Sequence, residues 1–158
     1  MEDVKVNDFV LMVRTLWGEQ KKRELLYLEA LKKDSMGPFR KVLSQGHLSA
    51  VLFQRELHSI YDYFKCFLTD KELGVADMNM RPASLLKDLN DTEEVAGLFK
   101  KIEAGILQLY KTLRAHVDRE SEARQVLDEH LLRISEFYDT FSKMEMVNRK
   151  KTTYVAAA

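Results

Sequence analysis

At 158 residues, with 46% hydrophobic and 32% charged side chains, the chain is long enough to bury one sizeable core and too apolar to be disordered. Its 25 Lys and Arg balance its 25 Asp and Glu, which argues against a nucleic-acid binder with a net basic field, and no apolar run of about 18 residues marks a membrane span. The start, from Met1 to Phe9, carries acids and no apolar signal segment, and the single cysteine, Cys66, has no partner for an internal disulfide, so a cytoplasmic protein is expected.

Two prolines and six glycines are few breakers for this length, which favours long helices. A first helix is expected from Val6 to Lys33, capped by Asn7 or Asp8. Phe9, Val10, Val13, Leu16, Trp17, Leu25, Tyr27, Leu28 and Leu31 recur at helical spacing along it. Asp34 to Pro38 breaks the helix, and Pro38 suits the first position of the next. That second helix is expected to reach Leu68, with a stripe of Phe39, Val42, Leu43, Ala50, Phe53, Leu57, Ile60, Phe64 and Phe67. Gly46 and Ser49 leave a small-residue gap in the stripe, where a neighbouring helix can approach closely.

A long connection follows from Thr69 to Thr92, with a short helix expected over Pro82 to Leu89. Such a link is long enough to cross a bundle and join two helical hairpins. Thr92, followed by two acids, is the expected cap of a third helix with the stripe Val95, Leu98, Phe99, Ile102, Ile106, Leu109, Leu113 and Val117. A break over Asp118 to Ser121 leads to a fourth helix with Val126, Leu127, Leu131, Ile134, Phe137, Phe141 and Met144 inward. The expected architecture is all-α: one domain over residues 1–148, an antiparallel four-helix bundle with its long connection between helices two and three. A flexible tail is expected from Arg149 to Ala158.

Several short patterns then point to a family. The first helix carries Arg23, Tyr27 and Ala30; the second carries Phe39, Ser49, Phe53, Glu56 and Leu57. After the link come Leu85-Leu86-Lys87-Asp88-Leu89, then Glu103 with Tyr110 seven residues on, and finally Ile134, Tyr138 and Asp139. Over roughly residues 10–145 the chain resembles a family of bacterial ferritin-like bundles of undefined function. The resemblance implies the ferritin-like fold and little about activity.

A di-iron or di-manganese bundle needs a Glu from each of two helices and Glu-x-x-His from each of the other two. Three residues before His47, His58, His116 and His130 stand Ser44, Arg55, Leu113 and Leu127, none of them acidic. The matched positions offer Glu56-x-x-Ser59 and Ser135-x-x-Tyr138 instead, and neither serine nor tyrosine replaces imidazole well. Hemerythrin-like iron binding draws on more histidines than the four present. No phosphate-binding glycine loop and no His-Glu-x-x-His helix occurs. Cys66, between Phe64 and Phe67, reads as a small buried hydrophobe rather than a nucleophile.

No metal, cofactor or catalytic residue is therefore expected. The composition and motifs favour a non-catalytic interaction or stress-related protein, working with a protein partner or as a homodimer through a face extended by Tyr61 and Tyr63. The alternative is a metal-binding or oxidoreductase bundle, with iron or manganese at an altered carboxylate site of Glu24, Glu56 and Glu103. Glu24 falls on an inward line of Val10, Val13, Trp17, Gln20, Glu24, Tyr27 and Leu31, and counting from the hairpin turn sets it level with His47, so a Glu24–His47 hydrogen bond is expected there. Glu56 and Glu103 read as edge positions with solvated carboxylates, and Lys21-Lys22-Arg23 as a solvated basic face.

Overall fold

The computed structural model describes residues 2–65 and 82–157, and every regular element among them is helical. The chain forms α1 (Glu2–Leu31), a 3-10 turn (Asp34–Met36), α2 (Phe39–Lys65), α3 (Pro82–Leu86), α4 (Thr92–Arg114) and α5 (Glu122–Ala157). The ends differ from expectation for local reasons. Lys32 and Lys33 donate to carbonyls three residues back, tightening and closing α1. Gly37 then takes a positive φ of 51°, which a residue without Cβ adopts at little steric cost, and α2 starts at Phe39. Helix α3 stops at Leu86 rather than Leu89. Helix α5 runs to Ala157, through the stretch expected as a tail, where no Gly or Pro interrupts the hydrogen-bond ladder. Phe64, Cys66, Phe67 and the end of the expected second helix lie outside the residues whose side chains are described.

Side-chain caps fix the second hairpin. Asp91, not Thr92, caps α4: its carboxylate accepts the Glu94 N–H at 2.8 Å, and the Glu94 carboxylate accepts the Asn90 N–H at 3.2 Å. Ser121 caps α5 by accepting from the Arg124 N–H. The Arg124 guanidinium donates to the carbonyl of Arg114 at the end of α4 and to that of Val117 in the turn after it, each at 3.0 Å. The Ser35 hydroxyl donates to the Asn90 carbonyl, tying the first turn to the chain entering α4.

Contacts between helices set their directions. Gln54 reaches Glu24, while Gly46 faces Tyr27, so α1 and α2 run antiparallel. Tyr110 meets His130 and Lys100 meets Glu145, so α4 and α5 do as well. Gln20 pairs with Tyr110 and Arg23 with Glu103, which makes α1 antiparallel to α4. Phe39 packs on Phe141 and Phe53 on His130, which makes α2 antiparallel to α5. Helices α2 and α4 therefore share a direction, and Lys65 and Thr92 lie at opposite ends of the packing.

The apolar core has two parts. One gathers Phe9, Val13, Leu16, Leu57, Ile106 and Leu127 with their neighbours; the other gathers Tyr27, Phe39, Leu43, Phe99, Phe137 and Phe141. Between them, in chain order on each helix, sit the buried polar residues Gln20 and Arg23, Glu103, and His130.

Candidate functional site

The polar layer begins on α1. Its buried line is Val13, Leu16, Gln20, Arg23, Tyr27 and Ala30, steps of three and four that keep one face inward. Arg23 belongs to that line and is completely buried, contrary to the reading of Lys21-Lys22-Arg23 as a solvated face. The expected inward line was one residue out of phase at Trp17 and Glu24; Trp17 is half-buried, and Leu28 is exposed. On α4 the line is Val95, Phe99, Glu103, Ile106, Tyr110 and Leu113. Glu103 is likewise fully buried, not the solvated edge residue expected.

Arg23 Nε donates to Glu103 Oε1 at 2.7 Å, and the Tyr27 hydroxyl donates to the same oxygen at 2.5 Å. These are short, charge-assisted bonds among fully buried side chains. Burial works against the Arg23 charge, but the Glu103 carboxylate outweighs it and holds the guanidinium above its ordinary pKa. Burial, and then Glu103, push the Tyr27 phenol well above its usual range, so it stays a donor. The guanidinium carbon also lies 5.2 Å from the Tyr27 ring centre, 5.1 Å from Phe137 and 5.9 Å from Phe53, within reach of cation–π attraction. Gly46 explains how the tyrosine fits: a Cβ there would overlap the Tyr27 ring. The small-residue gap thus admits a side chain.

The layer continues toward α5. Arg23 Nη1 donates to Gln20 Oε1 at 3.2 Å, and Gln20 Nε2 donates to the Tyr110 hydroxyl at 2.9 Å. That hydroxyl lies 2.8 Å from His130 Nδ1. Burial, then the Arg23 charge, pull the His130 pKa down to about 3, so the ring is neutral at ordinary pH. Its Nε2 lies 3.5 Å from Glu56 Oε1, a contact to a neutral ring and too long for a strong hydrogen bond. Phe53 stacks on the imidazole with ring centres 3.9 Å apart.

The three candidate carboxylates do not come together as one ligand set. Glu103 is engaged by Arg23 and Tyr27. Glu56 sits half-buried beside His130, its pKa raised by burial and by Glu129. Glu24 is half-buried, accepts from Gln54 at 3.1 Å and pairs with Lys21 at 3.0 Å. Burial would raise its pKa, but Gln54 and Lys21 bring it below the ordinary value. His47 adds only the weakest of the favourable charge effects there, and Glu24 bonds Gln54 in place of the expected histidine. A di-metal centre needs facing anions and imidazoles, whereas the Arg23 cation lies against Glu103 at the centre of this layer. Among the described residues, no three His, Cys, Asp or Glu side chains are grouped to hold a metal ion. The described residues of this layer do not fit a di-metal centre.

Outside the core, α2 shows a second feature. Leu48, Leu52, Arg55, Ser59 and Tyr63 follow one another in steps of three and four, and all are exposed. Leu48 is 67% exposed, Leu52 54% and Tyr63 64%, so one outward line carries large apolar side chains. Tyr61, expected on the same face, is instead half-buried against the core. No family model, curated protein or solved structure matches the chain.

Proposed function

We propose that this protein is an antiparallel four-helix bundle of the ferritin-like kind, in which a protein-supplied charge pair stands where relatives in fold hold metal, and that it acts as a non-catalytic interaction protein. The observation that carries this reading is the fully buried Arg23–Glu103 pair, with Tyr27 on the same carboxylate oxygen. The shared direction of α2 and α4 supports the ferritin-like topology, because two hairpins joined by a long crossover run that way. A positive charge at the layer's centre repels a second cation, and Oε1 of the carboxylate beside it already accepts two bonds. The exposed line on α2 supports association, first of all with a second copy of the chain. Fold alone does not set the activity, so the reading rests on these residues.

The test is a titration of metal-free protein with Fe(II) and with Mn(II), followed by metal analysis after desalting. The proposal predicts far less than one retained ion per chain. Two retained ions per chain, lost when Glu103 is replaced by Gln, would instead establish the carboxylate-site alternative.

A further inference from the structure

Arg23 has only donors, so the bond from its Nη1 fixes which end of the Gln20 amide faces it. Gln20 must present Oε1 to Arg23 and Nε2 to Tyr110. The Tyr110 hydroxyl accepts that bond, and its own proton goes to His130 Nδ1. His130 is thereby set as the tautomer with its proton on Nε2, toward Glu56. Every direction in this chain follows from the guanidinium three groups away.

We propose that His130 is an acid-sensitive latch holding α5 to α4 and α2: a proton taken up on Nδ1 has no place in the closed core, and its uptake opens this seam. A protonated ring has donors at both nitrogens. Its Nδ1–H would face a hydroxyl that already receives Gln20 and whose own proton would then have no acceptor among these groups. Turning the Gln20 amide over to supply one would set its NH2 against Arg23 Nη1. The other groups facing the ring do not relieve the conflict. From α1 come Gln20 and the Arg23 charge, which repels imidazolium; from α4 comes Tyr110; from α2 come the apolar face of Phe53 and the Glu56 carboxylate. Glu56 alone favours the cation, and it reaches Nε2, not Nδ1.

The direction of the linkage follows from the depressed folded value. A free histidine titrates near pH 6.5, and His130 in the fold near 3, so between these values the unfolded chain holds the extra proton. Stability is full above pH 6.5 and falls as the pH drops toward 3, by up to tenfold in the folded-to-unfolded ratio per pH unit. Glu24, held below its ordinary value of 4.5, adds to the loss only below that pH. Glu56, raised above 4.5, offsets part of the slope just above it. Between pH 5 and 6.5 the part of the slope that belongs to His130 is therefore the part that its replacement removes.

The experiment is urea unfolding of the full chain at several pH values across that window, for the natural sequence and for His130→Gln. Glutamine offers a neutral acceptor to Tyr110 at every pH. The natural chain is expected to lose on the order of tenfold in its folded-to-unfolded ratio across the window, and the variant to lose most of that slope. A variant that keeps the full slope would overturn the latch. Should the variant not fold, nitrogen NMR of the natural chain decides. The His130 ring is expected to keep its neutral, Nε2-protonated signature down to pH 5, and a ring titrating near 6.5 inside an intact fold would overturn the proposal.

Discussion

Three side chains, Arg23, Glu103 and His130, set the character of the interior, and no local pattern marks the burial of the two charged ones. Each lies on the inward line of its own helix: Arg23 between Gln20 and Tyr27, Glu103 between Phe99 and Ile106, His130 between Leu127 and Ile134. A charged residue at such a place is assigned to water by default, because unpaired burial is costly. The pairing that removes the cost joins residues 80 positions apart, which no local pattern shows. The legible signal was phase, since a strict count from Val13 and Leu16 leads to Arg23 rather than Glu24. Gly46 was legible as a gap, but its occupant, the Tyr27 ring, was not. Gly46→Ala is expected to displace that ring and lower stability by about 1–3 kcal/mol through overpacking. Thermal unfolding of the variant checks this; an unchanged midpoint would mean that Tyr27 does not fill the gap.

Among the elements, the long helices follow from their apolar spacing, and the boundaries depend on a few polar atoms. The sequence marks the start of α4 to within a residue, but its Thr-Glu-Glu pattern points to Thr92 as the cap. Asp91 takes the role instead, with Glu94 returning the bond to Asn90. Asp91→Ala is expected to cost about 0.5–2 kcal/mol, the usual loss for a missing cap, whereas Thr92→Ala should stay within about 0.5 kcal/mol. Equal losses in urea unfolding would return the cap to Thr92. The end of α5 was not legible, because residues 149–157 combine basic and small side chains that suit a tail and a helix equally.

In the whole molecule, four antiparallel contacts enclose a polar layer between two apolar clusters. Leu48, Leu52 and Tyr63 are exposed on the outer line of α2. If a second copy covers it, sedimentation of the chain at micromolar concentration should give a dimer, and Leu48→Glu with Leu52→Glu should give a folded monomer. A monomeric natural chain would contradict this. Arg23 and Glu103 neutralise each other inside the core through the Nε–Oε1 bond, while Arg23 Nη2 and Glu103 Oε2 stay buried without a hydrogen-bond partner. Removing one partner of such a pair strands the other, at about 3–5 kcal/mol, while replacing both with apolar groups is close to neutral or stabilising. The decisive measurement is a double-mutant cycle of urea unfolding at pH 7 with Arg23→Met, Glu103→Leu and the two combined. The single variants are expected to be costly, the double variant to lie within about 1 kcal/mol of the natural chain or above it, and the coupling to reach about 3 kcal/mol or more. A double variant whose loss equals the sum of the two single losses would contradict it.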